Sequence, residues 1–192
     1  PWFVIGCGLP NLPGALAAAE SYAARLFEYR LIDRLPQVAA HAALVNPAKV
    51  EGVDWEPSAA AHVVAQSAGY PYFIQQFGQS TWNDAAASPI TFADAERGVN
   101  VGFELLDMGF FRARWDRATP SEREYLSAMA IDGDGPSSSG DVARRVGKLP
   151  TSLGPTRANL INKGIVYAPE HGQIAFTVPG MSKFIERRLA AE

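Results

Sequence analysis

The tetrapeptide Thr119-Pro120-Ser121-Glu122 fixes a helix start more firmly than any other stretch of the chain. A threonine followed three residues later by glutamate forms a capping box, and a proline at the first helical position gives up an N–H that has no helical partner anyway. The helix that follows sets Tyr125, Leu126 and Met129 on one apolar face. Residues 132–140 form a loop rich in Gly, Ser, Pro and Asp, and residues 140–146 a short helix burying Val142, Ala143 and Val146. A turn over 147–151 leads to a third helix, capped by Ser152 and ended by Gly164. Two short strands, 165–167 and 174–178, flank Glu170-His171-Gly172 as a hairpin turn, and a helix over 180–189 closes the chain. This order of helices, turn and hairpin is that of a winged helix-turn-helix domain, assigned to residues 118–192.

The remainder divides in two. Trp2-Phe3-Val4-Ile5 is a continuous apolar run and reads as a buried strand, followed by a Gly/Pro-rich exit and an Ala-rich helix over 15–26. Residues 27–35 alternate imperfectly, as a second short strand would. From Pro36 the pattern is helical alone: 36–45, stopped by Asn46-Pro47; a helix capped by Ser58 and ended by Gly69; a helix opened by Pro71 and running to about Ala85; and one capped by Thr91 that continues into Phe110-Phe111-Arg112-Ala113-Arg114-Trp115. Residues 1–35 are therefore expected to be a piece of an α/β core, and 36–117 a helical domain. The fold class is mainly α (α+β), with a small β-hairpin.

The 192 residues are 47% hydrophobic and 19% charged with net charge −3, an ordinary globular composition. No run of eighteen apolar residues would span a bilayer, and the opening segment lacks the basic flank of a signal peptide. A chain that starts Pro-Trp rather than Met is expected to be a piece of something longer or a processed product. The single Cys7 excludes an internal disulfide and points to a reducing, cytoplasmic setting, and His41, His62 and His171 have no metal-ligand spacing. Gly6-Cys7-Gly8 carries Asn11 where a dinucleotide fingerprint has its third glycine. Asp132-Gly133-Asp134-Gly135 lacks the later ligands of a calcium loop. No Walker A motif or catalytic triad is present, so no catalytic residue is assigned and no metal is expected.

Two constellations remain. Gly69-Tyr70-Pro71 ends one helix and begins another, exposing N–H groups at a helix N-terminus that suit contact with a nucleotide. In the C-terminal domain Arg144, Arg145, Lys148 and Lys163 are candidate phosphate contacts. Asn159 and Asn162 share the outward face of the third helix with Pro155 and Ala158 as candidate base contacts. Leu153, Leu160 and Ile161 define the inward face, and Arg157 falls near it, where a structural ion pair is expected. Residues 119–192 carry nine basic and eight acidic side chains, and the preceding part eight against twelve. So mild a basic excess predicts weak, largely non-specific binding of double-stranded DNA.

Taken together, these segments resemble the C-terminal half of bacterial or archaeal P-loop ATPases of the AAA+/STAND type. Trp2-Phe3-Val4-Ile5-Gly6 is similar to their fourth core strand, and Arg25-Leu26-Phe27-Glu28-Tyr29-Arg30-Leu31 to the start of the fifth. Gly69-Tyr70-Pro71 is similar to the family's lid motif, in which the proline packs near the adenine. Thr151-Ser152-Leu153-Gly154-Pro155 and Gly164-Ile165-Val166-Tyr167 are similar to its winged-helix end. The resemblance implies a lid and winged helix that couple ATP or ADP binding in an intact parent to DNA or protein partners, the missing ATPase core among them. The phosphate-binding lysine and magnesium-binding acids are not in this sequence, so hydrolysis by this chain alone is not expected. Two alternatives are a DNA-binding transcription regulator and a non-enzymatic interaction adaptor.

Overall fold

A computed structural model describes residues 2–8, 12–20, 22, 25–30 and 32–191. It is mainly helical, with one small three-stranded sheet. The chain divides into two compact units, Leu31–Arg112 and Ala113–Glu192, the latter grouped with Pro1–Arg30.

The expected N-terminal strand is not formed. Residues 2–8 carry no regular structure, and Trp2, Phe3, Val4 and Ile5 are 75% to 101% exposed. A strand needs a neighbour for its N–H and C=O groups, and the three strands of this structure pair only with one another. The second expected strand, over 27–35, is likewise irregular at its described positions. The Ala-rich helix is α1 (Leu12–Ala19), shorter than expected. Residues 9–11, 21, 23, 24 and 31 of these segments lie outside the described residues, including Asn11 of the glycine-rich exit.

In the unit of residues 31–112, α2 (Gln37–Val50) runs through Pro47 rather than stopping there. Pro47 is exposed and lies beside Ala43, whose carbonyl it cannot serve, on the open side of the helix. Leu44, Val45 and Ala48 are buried, and their packing carries the helix on to Val50. The next helix, α3 (Pro57–Ser67), starts from Glu56, with Pro57 at the first helical position where Ser58 had been expected to cap. The Glu56 carboxylate instead accepts from the Phe92 N–H at 3.0 Å.

Helix α4 (Pro71–Asp84) packs along α5 (Phe92–Leu105), which Thr91 and Asp94 start with a full capping box. Two glycines on α5, four residues apart, set that packing. A Cβ on Gly98 would lie 2.6 Å from the Thr81 backbone nitrogen, and one on Gly102 2.5 Å from Phe77 Cδ1. The bare backbone of α5 thus meets α4 directly, and Phe73, Ile74 and Phe77 fill the space around the contact. The helical run continues through a π-helical turn, Leu106–Phe111, into α6 (Arg112–Asp116).

In the unit of residues 113–191, the order is α7 (Pro120–Ala130), β1 (Ser137–Ser138), α8 (Ser139–Val146), α9 (Gly154–Asn162), β2 (Val166–Tyr167), β3 (Gln173–Phe176) and α10 (Met181–Ala190). The sheet runs β1-β3-β2, antiparallel throughout, with Ser137 opposite Ile174 and Val166 opposite Phe176. Tyr125, Leu126, Met129, Val142, Leu160, Ile174 and Ile185 form the core. Ser152 does not cap α9: it lies in a 3₁₀ turn, Pro150–Leu153, and its hydroxyl donates to Leu149 O at 2.7 Å. Proline at 150 and 155 holds the backbone in helical φ, so the turn coils before α9 begins at Gly154.

Gly98→Ala is expected to destabilise the helical unit by about 1–3 kcal/mol through overpacking. Gly109→Ala, which meets open space, is expected to be neutral or mildly stabilising. Denaturant melts of the two variants check the contrast.

Candidate functional site

The Gly69-Tyr70-Pro71 corner is built by two successive left-handed residues, Ala68 at φ 49° and Gly69 at φ 72°. The Ser67 hydroxyl donates to Val64 O at 2.7 Å and accepts from the Gly69 N–H at 3.2 Å, so it braces the last turn of α3. The Leu35 N–H then donates to Gly69 O at 2.8 Å. A Cβ on Gly69 would lie 2.6 Å from Leu35 O, so both the positive φ and the close approach require glycine here.

This closure shapes a cleft of about 260 Å³. Leu35, Gln37, Ala40, Ala61, Val64 and Ala65 line it, with polar and apolar surface in about equal share. The helix start beside it offers few donors, contrary to expectation. Pro71 has no N–H, and the Phe73 and Ile74 N–H groups both donate to Tyr70 O at 3.0 Å. Tyr70 itself stacks edge-on against Phe73 at 4.9 Å. The corner is therefore a recess of mixed polar and apolar surface with few free helix-start donors beside it.

The candidate nucleic-acid residues lie on α8 and α9 and in the turn between them. Asn159 and Asn162 are exposed on α9 together with Pro155 and Ala158, and Leu153 and Leu160 face inward. The four cations are all engaged by carboxylates. Arg145 binds both oxygens of Asp132 at 2.6 Å and also donates to Ala128 O at 2.8 Å. Lys148 meets Glu124 at 2.8 Å, and Arg144 meets Asp141 at 2.7 Å on the surface. Lys163 binds Glu122 at 2.6 Å and Arg117 O at 2.9 Å, and Arg117 returns a bond to Lys163 O at 3.2 Å.

Glu122 is the keystone of this unit. Its side chain is buried, yet one oxygen receives both the Thr119 N–H at 2.7 Å and the Lys163 ammonium. Burial alone pushes this carboxyl up, but Lys163 and Thr119 together outweigh it and hold its pKa below the ordinary value. The Arg145 guanidinium lowers Asp132 in the same direction, against a smaller opposing effect of burial.

A comparison with protein families matches residues 108–185 to the Domain of unknown function (DUF8462). No curated protein matches the chain. Among solved structures, the Thermotoga maritima RuvB Holliday junction branch migration motor is similar, with TM-score 0.40 and 16% identity over 86% of this chain and 61% of that one. A point mutant of Thermotoga maritima RuvB matches with TM-score 0.37 and 18% identity over 75% of this chain and 47% of that one. The chain thus spans about half the length of the first RuvB structures it matches.

Several working side chains escaped the sequence reading. The Asp134 carboxylate accepts from Gly180 N at 2.6 Å and Ser182 Oγ at 2.7 Å, so it caps α10 from 46 residues away. Arg157 has no carboxylate partner among the described residues. It donates to Gln173 O at 3.1 Å on β3, where an ion pair had been expected. The Asp-Gly-Asp-Gly signal for a carboxylate-bearing turn was visible, but its distant partner was not. Among the described residues no three His, Cys, Asp or Glu side chains gather as metal ligands, and no helix is long and apolar enough to cross a membrane.

Lys163→Met leaves a buried carboxylate without its counter-ion and is expected to cost about 3 kcal/mol at neutral pH. Because the folded pKa of Glu122 lies below its unfolded value, its contribution is present above the ordinary carboxyl range, about pH 4. It is lost as pH falls through the folded value. Melting temperatures of both proteins between neutral pH and about pH 2 should therefore converge in acid.

Proposed function

We propose that the chain is the lid and C-terminal winged-helix region of a nucleotide-dependent switch protein of AAA+/STAND type, and that the winged-helix unit docks a protein rather than reading DNA. The observation that carries the nucleotide part is the corner closed by Leu35 on Gly69. It joins the segment before α2 to the start of α4 around one recess of mixed polar and apolar surface, lined by Gln37 and small apolar side chains. Such a recess suits the flat, apolar faces and polar edge of an adenine base. The phosphates would then rely on groups outside this chain, because the start of α4 offers few free donors: Pro71 has no N–H, and those of Phe73 and Ile74 donate to Tyr70 O. The strand-like Trp2-Phe3-Val4-Ile5 segment, left exposed, is in keeping with a partner sheet supplied elsewhere in a larger protein.

The protein-docking part follows from the charges. Phosphate affinity depends on releasing counterions with available Lys and Arg. Arg144, Arg145, Lys148 and Lys163 already face carboxylates, and the exposed side of α9 presents Pro155, Ala158, Asn159 and Asn162 without a charge. Near-neutral, partly apolar surfaces of this kind are common at protein interfaces.

Two measurements test the reading. In the longer switch protein, Ala65→Leu fills the recess from an exposed helix position and should weaken ADP binding in calorimetry while circular dichroism stays unchanged. Equal ADP affinity would reduce the recess to a packing feature. Gly69→Ala is unsuited to this test, since it disturbs the backbone closure itself. The 192-residue chain should show no ATP turnover and should bind duplex DNA weakly, with a log–log salt slope of about −3 or shallower. Nanomolar, sequence-selective binding at physiological salt would instead make it a DNA-reading regulator.

A further inference from the structure

Arg157 stands apart from the other cations of residues 120–163. Arg123, Arg144, Arg145, Lys148 and Lys163 each face a carboxylate, whereas the half-buried Arg157 guanidinium has no carboxylate partner among the described residues: it donates to the Gln173 carbonyl and lies near Tyr125. Its Nε is buried and has no hydrogen-bond acceptor. A partly desolvated guanidinium whose described neighbours are neutral is left short of the anion that its fork geometry matches. The same side chain lines a cleft of about 580 Å³ between α9 and the β2–β3 turn, whose other walls are Ala168, Pro169, Glu170, His171 and Gly172.

We propose that this cleft is a docking site for a carboxylate side chain of an acidic protein segment, which Arg157 receives with His171 at the rim. Ala168 and Pro169 offer apolar surface to the methylene stem of a glutamate. Glu170 stands at the same rim with no ion-pair partner among the described residues, so it repels an incoming carboxylate and lowers the affinity. A carboxylate fits better than a nucleic-acid backbone. One guanidinium matches one carboxylate, whereas a phosphate backbone is held by several available cations together, and the neighbouring cations are paired.

This inference rests on the reading of the winged-helix unit as a protein-docking module. The test is an amide-resolved NMR titration of the 192-residue chain with hexaglutamate, with a short DNA duplex in parallel. Hexaglutamate should shift the Gly172 and Gln173 amides. Glu170→Gln should strengthen those shifts. Ala168→Glu, a change at an exposed position, should abolish them with the rest of the spectrum unchanged. Arg157→Gln should abolish them too, and the first two variants keep the test valid if that change loosens the hairpin. Absence of shifts, or shifts indifferent to Glu170→Gln and Ala168→Glu, overturns the cleft but leaves the docking-module reading in place. Tighter binding of the duplex than of hexaglutamate, with the same dependence on both variants, overturns the carboxylate assignment and the docking-module reading together.

Discussion

The Glu122 carboxylate does two jobs that are normally separate. As the third residue of α7 it completes the capping box with Thr119, a local device that any short helix can use. Because it is also buried, it demands a cation, and Lys163 at the end of α9 supplies one. Local and tertiary requirements thus fall on one group. The start of α7 cannot form its native cap in a dry core unless α9 has arrived. Arg117 and Lys163 then exchange bonds through each other's carbonyls, which fixes the residues just before α7 against the end of α9.

The other ion pairs of this unit extend the same logic toward the surface. Arg145 joins α8 to the end of α7 through two oxygens of Asp132 and the Ala128 carbonyl, a planar fork that lysine could not reproduce. Asp134, two residues on, caps α10. The Asp-Gly-Asp-Gly loop is therefore a fastening point for two helices, each carboxylate bound to a different element. A carboxylate beside each of these cations offsets its charge locally. That is why the unit's charge count alone says little about its partners, and why Arg157, half-buried without a carboxylate, is the informative exception.

In the helical unit the governing constraint is steric. Gly98 and Gly102 let α5 approach α4 closely enough that Thr81 and Phe77 fill the position of the missing Cβ atoms. Gly69 does the same for the chain crossing at Leu35. Gly98 and Gly69 work by close approach of backbones and Gly102 by leaving room for the Phe77 ring; the Gly69 crossing then sets where Tyr70 and the recess lie.

The sequence by itself determined the helix starts that rest on local chemistry. Thr91 and Thr119 carry complete capping boxes, Pro71 and Pro120 occupy first turns, and Gly69 and Gly147 adopt the left-handed geometry their positions require, whereas α3 starts at Pro57 and not after the cap expected at Ser58. The inward and outward faces of α9 were also legible, since they depend only on helical period. Tertiary structure decided the rest. Pro47 stays within α2 because buried neighbours on both sides hold the helix, and Ser152 gives its hydroxyl to a 3₁₀ turn instead of a cap. Trp2 to Ile5 has the composition of a strand but no sheet to join among the described residues. The candidate phosphate contacts were identified by residue type, yet their charges are engaged by Asp132, Glu124, Asp141 and Glu122. Caps and periodicity act over a few residues and can be read along the chain, whereas the partner of a charge or the neighbour of a strand is set by folding and has no local signal.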